Sequence, residues 1–178
     1  MPLSNVPTLV ITGRLGAGKS TLIARLVQGR PSGQTWAVLV NERGVVHVEG
    51  REGVAVAEVG GGCMCCTAQV NLRVALTRLL HEVRPSRLFV ELHGASHVGP
   101  ILKTLASPWL APVLALGPVV KVIGPAGEID RALVAPADVL CVRGDASAAG
   151  RYAAGKRVVD ADTATLADLY GTTVNEPR

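Results

Sequence analysis

One string of residues, Gly13-Arg14-Leu15-Gly16-Ala17-Gly18-Lys19-Ser20, constrains this chain more than any other feature. It meets the spacing G-x-x-x-x-G-K-[ST] in full. Such a string is useful only at a junction where a strand stops and a helix starts, because its glycines let the backbone fold its N–H groups around an anion. The flanks agree. Pro7-Thr8-Leu9-Val10-Ile11-Thr12 is apolar and β-branched, and Thr21-Leu22-Ile23-Ala24-Arg25-Leu26-Val27 spaces its apolar residues as a helix does. In that context Gly13, Leu15, Gly16, Ala17, Gly18 and Thr21 cradle phosphate through the backbone. Lys19 reaches the terminal phosphates as the charged catalytic group, and the Ser20 hydroxyl ligates Mg²⁺. A glycine-rich turn capped by serine would account for the glycines, but not for a lysine fixed between Gly18 and Ser20.

The rest of the chain continues the alternation. Short apolar runs at Trp36–Asn41, Val54–Val59, Arg87–Glu91, Val119–Ile123, Val139–Val142 and Arg157–Val159 read as strands. Between them, Lys19–Gln28, Val70–Val83, Glu128–Val134 and Thr163–Tyr170 read as helices. The helix over Val70–Val83 has two candidate inner faces: Val70, Val74, Thr77 and Leu80, or Leu72, Ala75, Leu76 and Leu79. Alternating strands and helices predict an α/β fold, a mostly parallel sheet flanked by helices on both faces. The 178 residues suit a single nucleotide-binding domain over residues 1–170, with 171–178 a flexible tail.

Composition narrows the partners. Five aromatic residues offer no platform for stacking nucleic-acid bases, and the net charge of +4 is spread without a basic run, so nucleic acid is not expected. Residues 105–120 carry no charge, but Pro108, Pro112 and Pro118 interrupt a run already too short to span a membrane. With no signal-peptide pattern at the start, a cytoplasmic location is expected.

Further groups carry chemistry. Glu91 closes the apolar run Leu88-Phe89-Val90, and an acid at a strand tip facing a phosphate loop holds Mg²⁺ or its water. Three thiols in Cys63-Met64-Cys65-Cys66 follow Gly60-Gly61-Gly62, a loop pliable enough to converge them. Thiolates suit Zn²⁺ or Cu⁺, with Glu42, a histidine or water as the fourth ligand; a redox-active or merely tolerated cysteine group is the alternative. His93 and His97 would share one face if that segment were helical. Cys141, within Val139-Leu140-Cys141-Val142, reads as core.

Four blocks together, the phosphate loop through Thr21, Asn41-Glu42-Arg43-Gly44, Gly62-Cys63-Met64-Cys65-Cys66-Thr67 and Glu91-Leu92-His93-Gly94, resemble the CobW family of P-loop GTPases in content, order and spacing. The resemblance implies GTP hydrolysis coupled to the binding or transfer of Zn²⁺ (Co²⁺ as the alternative) for a client metalloprotein. It implies that Cys63, Cys65 and Cys66 hold the metal, with Glu42 as a metal or switch residue. Glu91 and Gly94 then match the family's E-x-x-G block, linking metal to the γ-phosphate. Departures are specific. Val45 stands where the family has an acid, leaving Glu49 as the switch acid and a further Mg²⁺ candidate. Val142-Arg143-Gly144-Asp145 keeps only Asp145 of the guanine-reading Asn-Lys-x-Asp motif, so ATP is the alternative nucleotide. The resemblance covers the family's G domain, and a shortened G domain without the family's C-terminal domain is the expectation. No residue stands out as a general base, so slow hydrolysis, completed by a partner or a homodimer, is expected. A non-hydrolysing nucleotide- or metal-sensing module is the rival reading, and a small-molecule kinase a more distant one.

Overall fold

A computed structural model describes residues 2–41, 50–59, 67–93, 98–124, 136–144 and 155–171. In chain order these form β1 (Val6–Gly13), α1 (Lys19–Leu26), a 3₁₀ turn (Val27–Gly29), β2 (Trp36–Asn41), β3 (Val54–Glu58), α2 (Thr67–Val83), β4 (Arg87–His93), α3 (Val98–Leu105), β5 (Leu114–Ile123), β6 (Val139–Val142), β7 (Arg157–Asp160) and α4 (Leu166–Tyr170). The seven strands make one sheet in the order β3-β2-β4-β1-β5-β6-β7. Every neighbouring pair is parallel. The predicted helix over Glu128–Val134 lies outside the described residues, as does most of the predicted tail.

Burial on both faces explains the near-continuous apolar strands. On one face Leu9, Ile11, Phe89, Val120 and Cys141 pack with Leu22 and Ile23 of α1. On the other, Val10, Val90 and Leu92 pack with Leu72, Leu76 and Leu79 of α2 and with Ile101 and Leu105 of α3. The second candidate face of α2 is therefore the inner one, joined by Leu80 from the first, while Val70 and Val74 are exposed. α3 was not foreseen; it opens Val98-Gly99-Pro100. Pro100 sits in the first turn, where a missing N–H breaks no intrahelical bond.

β5 begins five residues earlier than its apolar pattern suggested. Its register against β1 slips between Thr8 and Val10, with Thr8 opposite Leu116 and Val10 opposite Val119. This bulge absorbs Gly117 and Pro118, the positions at which a regular ladder would fail. A Cβ on Gly117 would fall 2.5 Å from the Tyr170 ring, so the bulge also makes room for that side chain.

Tyr170 closes a stack at the end of the sheet away from the phosphate loop. The Arg87 guanidinium lies 5.2 Å from the Trp36 ring centre and 5.6 Å from that of Tyr170, and its NH1 donates to the Tyr170 hydroxyl at 3.4 Å. α4 is held there by a capping box between Thr165 and Asp168, and by Arg157 donating to the carbonyls of Asp168 and Leu169. Tyr170→Ala should cost about 3 kcal/mol, read as a lower urea midpoint with altered Trp36 fluorescence, whereas Tyr170→Phe, which keeps the ring over Arg87, should cost under about 1 kcal/mol.

Candidate functional site

β1 ends at Gly13 and α1 begins at Lys19, so the predicted phosphate loop occupies the strand-to-helix turn at the carboxyl end of a central strand. Glycine is required at two places for different reasons. A Cβ on Gly13 would meet the Val122 carbonyl at 2.6 Å, and Gly18, which caps α1, has φ 100°, a left-handed conformation. No side chain caps α1 and no acid stands in its first turn, so its leading N–H groups face the loop's mouth with the positive end of the helix dipole. Leu15 and Gly16 at the crest are exposed, while Ala17 is buried beneath them.

Lys19 is 4% exposed, and its Nζ donates to the carbonyls of Gly13 at 3.0 Å and Arg14 at 3.1 Å. The ammonium is thus held inside the ring of the loop. Ser20, the next residue of α1, reaches the neighbouring strand β4, where its Oγ donates to Oε1 of Glu91 at 2.8 Å. Glu91 is 3% exposed and lies in register with Ile11 of β1 and Val40 of β2, on the face that α1 covers. Two residues 71 positions apart therefore meet as hard oxygen donors beside the lysine, a set that fits Mg²⁺. Strand β4 runs on to His93, so His93 is a strand residue and not half of a helical pair with His97.

On the other side of the loop stands a group that sequence reasoning underused. Arg143 follows β6, and its guanidinium approaches Gly18: a Cβ there would lie 3.5 Å from NH1. Nε of Arg143 donates to Oδ1 of Asp162 at 3.1 Å. Arg25 of α1 donates to the carbonyls of Ala161 at 2.6 Å and Asp162 at 2.7 Å, tying the turn after β7 to α1. The one available signal was the position of Arg143 directly after an apolar strand and before Gly144. Asp162 carried none.

Cys141 lies beneath this turn, fully buried. Burial pushes its thiol up to about 12; Arg25 opposes the shift, and Asp160 and Asp162 add to it. The unfolded thiol ionises near its ordinary value of 9.0 while the folded one stays protonated, so the unfolded chain binds fewer protons above that pH. Stability should therefore fall as pH rises from 9 towards 12, by about 1.4 kcal/mol per unit from this group. Urea unfolding at pH 8 and pH 10 should show a fall about 1 kcal/mol smaller for Cys141→Ala than for the parent chain.

Glu42, Glu49, Cys63, Cys65, Cys66, Gly94, His97 and Asp145 lie outside the described residues. Among the described residues no three His, Cys, Asp or Glu side chains gather as a metal-binding group, and no helix is long and apolar enough to cross a membrane.

Comparison with known proteins fits this geometry. Residues 7–149 match the profile of the CobW/HypB/UreG nucleotide-binding domain. The chain is similar to the zinc chaperone YeiR of Escherichia coli (strain K12), 38% identical over 122 residues that cover 66% of this chain and 37% of YeiR. It is 31% identical over 129 residues to the zinc chaperone CobW of Sinorhizobium sp, covering 66% of this chain and 36% of that protein. Among solved structures, a zinc(II)-bound triple mutant of the YjiA GTPase superposes with TM-score 0.58 at 22% identity, over 84% of this chain and 52% of that one. The hydrogenase maturation factor HypB of Archaeoglobus fulgidus superposes with TM-score 0.58 at 13% identity, over 90% and 82%. These two likenesses establish the fold. The chain spans 36–37% of the length of the two zinc chaperones.

Proposed function

The chain belongs to the CobW/HypB/UreG nucleotide-binding domain family, and from that premise we propose that it is a metal-handling GTPase domain, coupling GTP binding and hydrolysis to the binding or transfer of Zn²⁺. The observation that carries this reading is the 2.8 Å contact between Ser20 and Glu91 beside the buried Lys19. It ties the phosphate loop to the strand that continues into Glu91-Leu92-His93-Gly94. On this reading Glu91, which the resemblance to the E-x-x-G block assigns to the coupling, is the carboxylate through which nucleotide and metal act on one another.

Within this reading the loop N–H groups and Lys19 bind the phosphates, and Lys19 exchanges its carbonyl contacts for phosphate oxygens. Ser20 and Glu91 hold Mg²⁺, with Glu49 as a further acid. Mg²⁺, when bound, neutralises charge on the phosphate oxygens. Asp145 accepts hydrogen bonds from the guanine edge; ATP is the alternative, because Arg143 stands where the family has lysine. Zn²⁺ is cargo, held by Cys63, Cys65 and Cys66 with Glu42 as the fourth ligand, and handed to a client metalloprotein in the cytoplasm. Thiolates favour Zn²⁺ over Mg²⁺, so the two ions sort to different ligands. Co²⁺ is the alternative cargo.

The test is Mg²⁺-dependent hydrolysis of GTP and of ATP by zinc-loaded and chelated protein, compared side by side. GTP turnover that changes with zinc supports the reading. Absence of turnover for both nucleotides, with zinc still bound, moves the function to a non-hydrolysing sensor.

A further inference from the structure

A closed circuit of contacts runs from one end of α1 round to the other. In the last turn of α1, Arg25 donates to the carbonyls of Ala161 at 2.6 Å and Asp162 at 2.7 Å. The turn that carries these carbonyls is fixed through its backbone as well. The Ala161 N–H donates to the Val142 carbonyl at 2.7 Å, and the Asp162 N–H to Oδ1 of Asp160 at 2.8 Å. Asp162 in turn accepts from Nε of Arg143 at 3.1 Å. The Arg143 side chain then crosses back to Gly18, the cap of α1, where a Cβ would lie 3.5 Å from its Nη1 and 3.7 Å from its Cδ. Its own backbone is held too, the N–H donating to the Ile123 carbonyl at 2.9 Å.

The circuit therefore fixes one long side chain that is 42% exposed and would otherwise sample many rotamers. A part-exposed ion pair adds little stability, so bracing the fold is a poor account of it. Among the described residues only Nε of this guanidinium makes a hydrogen bond. The edge formed by Nη1 and Nη2 is left for an acceptor from outside the chain.

We propose that Arg143 is a second phosphate-binding cation of the nucleotide site, donating from Nη1 and Nη2 to the inner phosphates, and that Asp162 positions it. The inference rests on the nucleotide-binding reading and adds a residue to that site. Position decides which phosphates are met. The Ser20–Glu91 contact, where Mg²⁺ fits, lies on the β4 flank of β1, and Arg143 lies on the opposite flank, at the end of β6. Mg²⁺ and Lys19 act at the outer phosphates, so the inner ones pass Gly18 towards the β6 flank. A phosphate oxygen that accepts from the Gly18 N–H then lies beside Nη1, and a planar fork suits two such oxygens. Asp162 holds a different edge of the guanidinium, which keeps its own negative charge from the phosphates. A guanidinium laid against Gly18 meets the ligand at its phosphates whatever the base, so this contact does not select guanine over adenine.

Nucleotide titration with Mg²⁺ present, beside steady-state turnover, tests it. Arg143→Gln should raise the dissociation constants of GTP and GDP alike by about tenfold, since both carry the inner phosphates, and leave the ratio of GTP to ATP affinity unchanged. KM should rise by a similar factor with kcat within about threefold of the parent, because the contact is made equally in ground and transition states. Arg143→Lys keeps the charge without the fork and should fall between the two. Asp162→Ala should weaken both nucleotides about threefold, and Asp162→Asn, which keeps an acceptor for Nε, should recover most of that loss. A mere brace would instead lower the urea midpoint and leave the affinities alone. Affinities of Arg143→Gln for GTP and GDP within about twofold of the parent overturn the proposal. A loss confined to GTP, or a GTP-to-ATP ratio shifted by more than about threefold, also overturns it, because Arg143 then acts on the outer phosphate or on the base. A parent chain that binds neither nucleotide overturns the nucleotide-binding reading as well, which separates that failure from this one.

Discussion

Lys19→Ala should lower the rate of GTP hydrolysis by about 10²–10³-fold and weaken nucleotide binding, with circular dichroism and urea midpoint little changed. The size of the effect follows from where the ammonium sits. It is almost fully buried and fixed by the carbonyls of Gly13 and Arg14, so its position is set before a phosphate arrives. A preorganised charge in a water-poor site acts on developing phosphate charge at low effective dielectric, where it counts for far more than a solvated lysine would. Stability should hold because the alanine removes the cost of a buried charge along with its two hydrogen bonds, and the two effects offset. Lys19→Arg separates charge from shape. It keeps the charge, but its planar, bulkier head does not fit between the two carbonyls, so it should remain far below the parent rate. The measurement is phosphate release at saturating GTP with Mg²⁺, beside a binding titration. Turnover in Lys19→Ala within about threefold of the parent would remove the phosphate loop from the reaction.

The sites differ in how far sequence alone could place them, and the difference has physical causes. The phosphate loop was legible because its chemistry is local: consecutive backbone N–H groups, a lysine and a serine within one turn. The partnership of Ser20 with Glu91 was legible as a role for each residue. Their 2.8 Å contact depends on β1 and β4 lying side by side, a consequence of strand order. Arg143 and Asp162 meet only because β6 and β7 are neighbours and Arg25 ties the turn after β7 to α1. No spacing in the sequence announces such a meeting.

For the fold, strands buried on both faces gave unbroken apolar runs, and these were readable. α2 was readable as a helix but ambiguous in face, because valines and leucines lie on both sides. Burial favours the leucine side, where Leu72, Leu76 and Leu79 reach the sheet, and it leaves Val70 and Val74 outside. Two prolines sit inside elements that the apolar pattern did not reach: Pro100, harmless in a first turn, and Pro118, absorbed by a bulge. In both places the exception depends on which N–H the structure can do without, and that is a tertiary fact.

Replacing Cys63, Cys65 and Cys66 together by serine should weaken Zn²⁺ binding by at least about 10³-fold in competition with a chromophoric chelator, while nucleotide binding by the phosphate loop persists. The argument starts from ligand chemistry. Thiolate is a soft donor that holds Zn²⁺ strongly, and a serine hydroxyl, which stays protonated near neutral pH, is a poor substitute. Three such losses at one site leave too few donors for a tetrahedral ion, whatever supplies the fourth position. Binding should also weaken as pH falls in the parent chain, because each thiolate must shed a proton before it can ligate, and this dependence should vanish in the triple variant. The sharper consequence concerns coupling. If metal and nucleotide act on one another through the strand that carries Glu91, then zinc should alter GTP turnover in the parent and have no effect in the triple variant, which no longer holds the metal. Glu91→Gln should separate the two halves: zinc still binds, because the thiols are untouched, but turnover falls and no longer responds to it. A triple variant that keeps both tight zinc binding and a zinc-dependent rate would place the metal on other residues, and the link from cargo to nucleotide would have to be sought away from these cysteines.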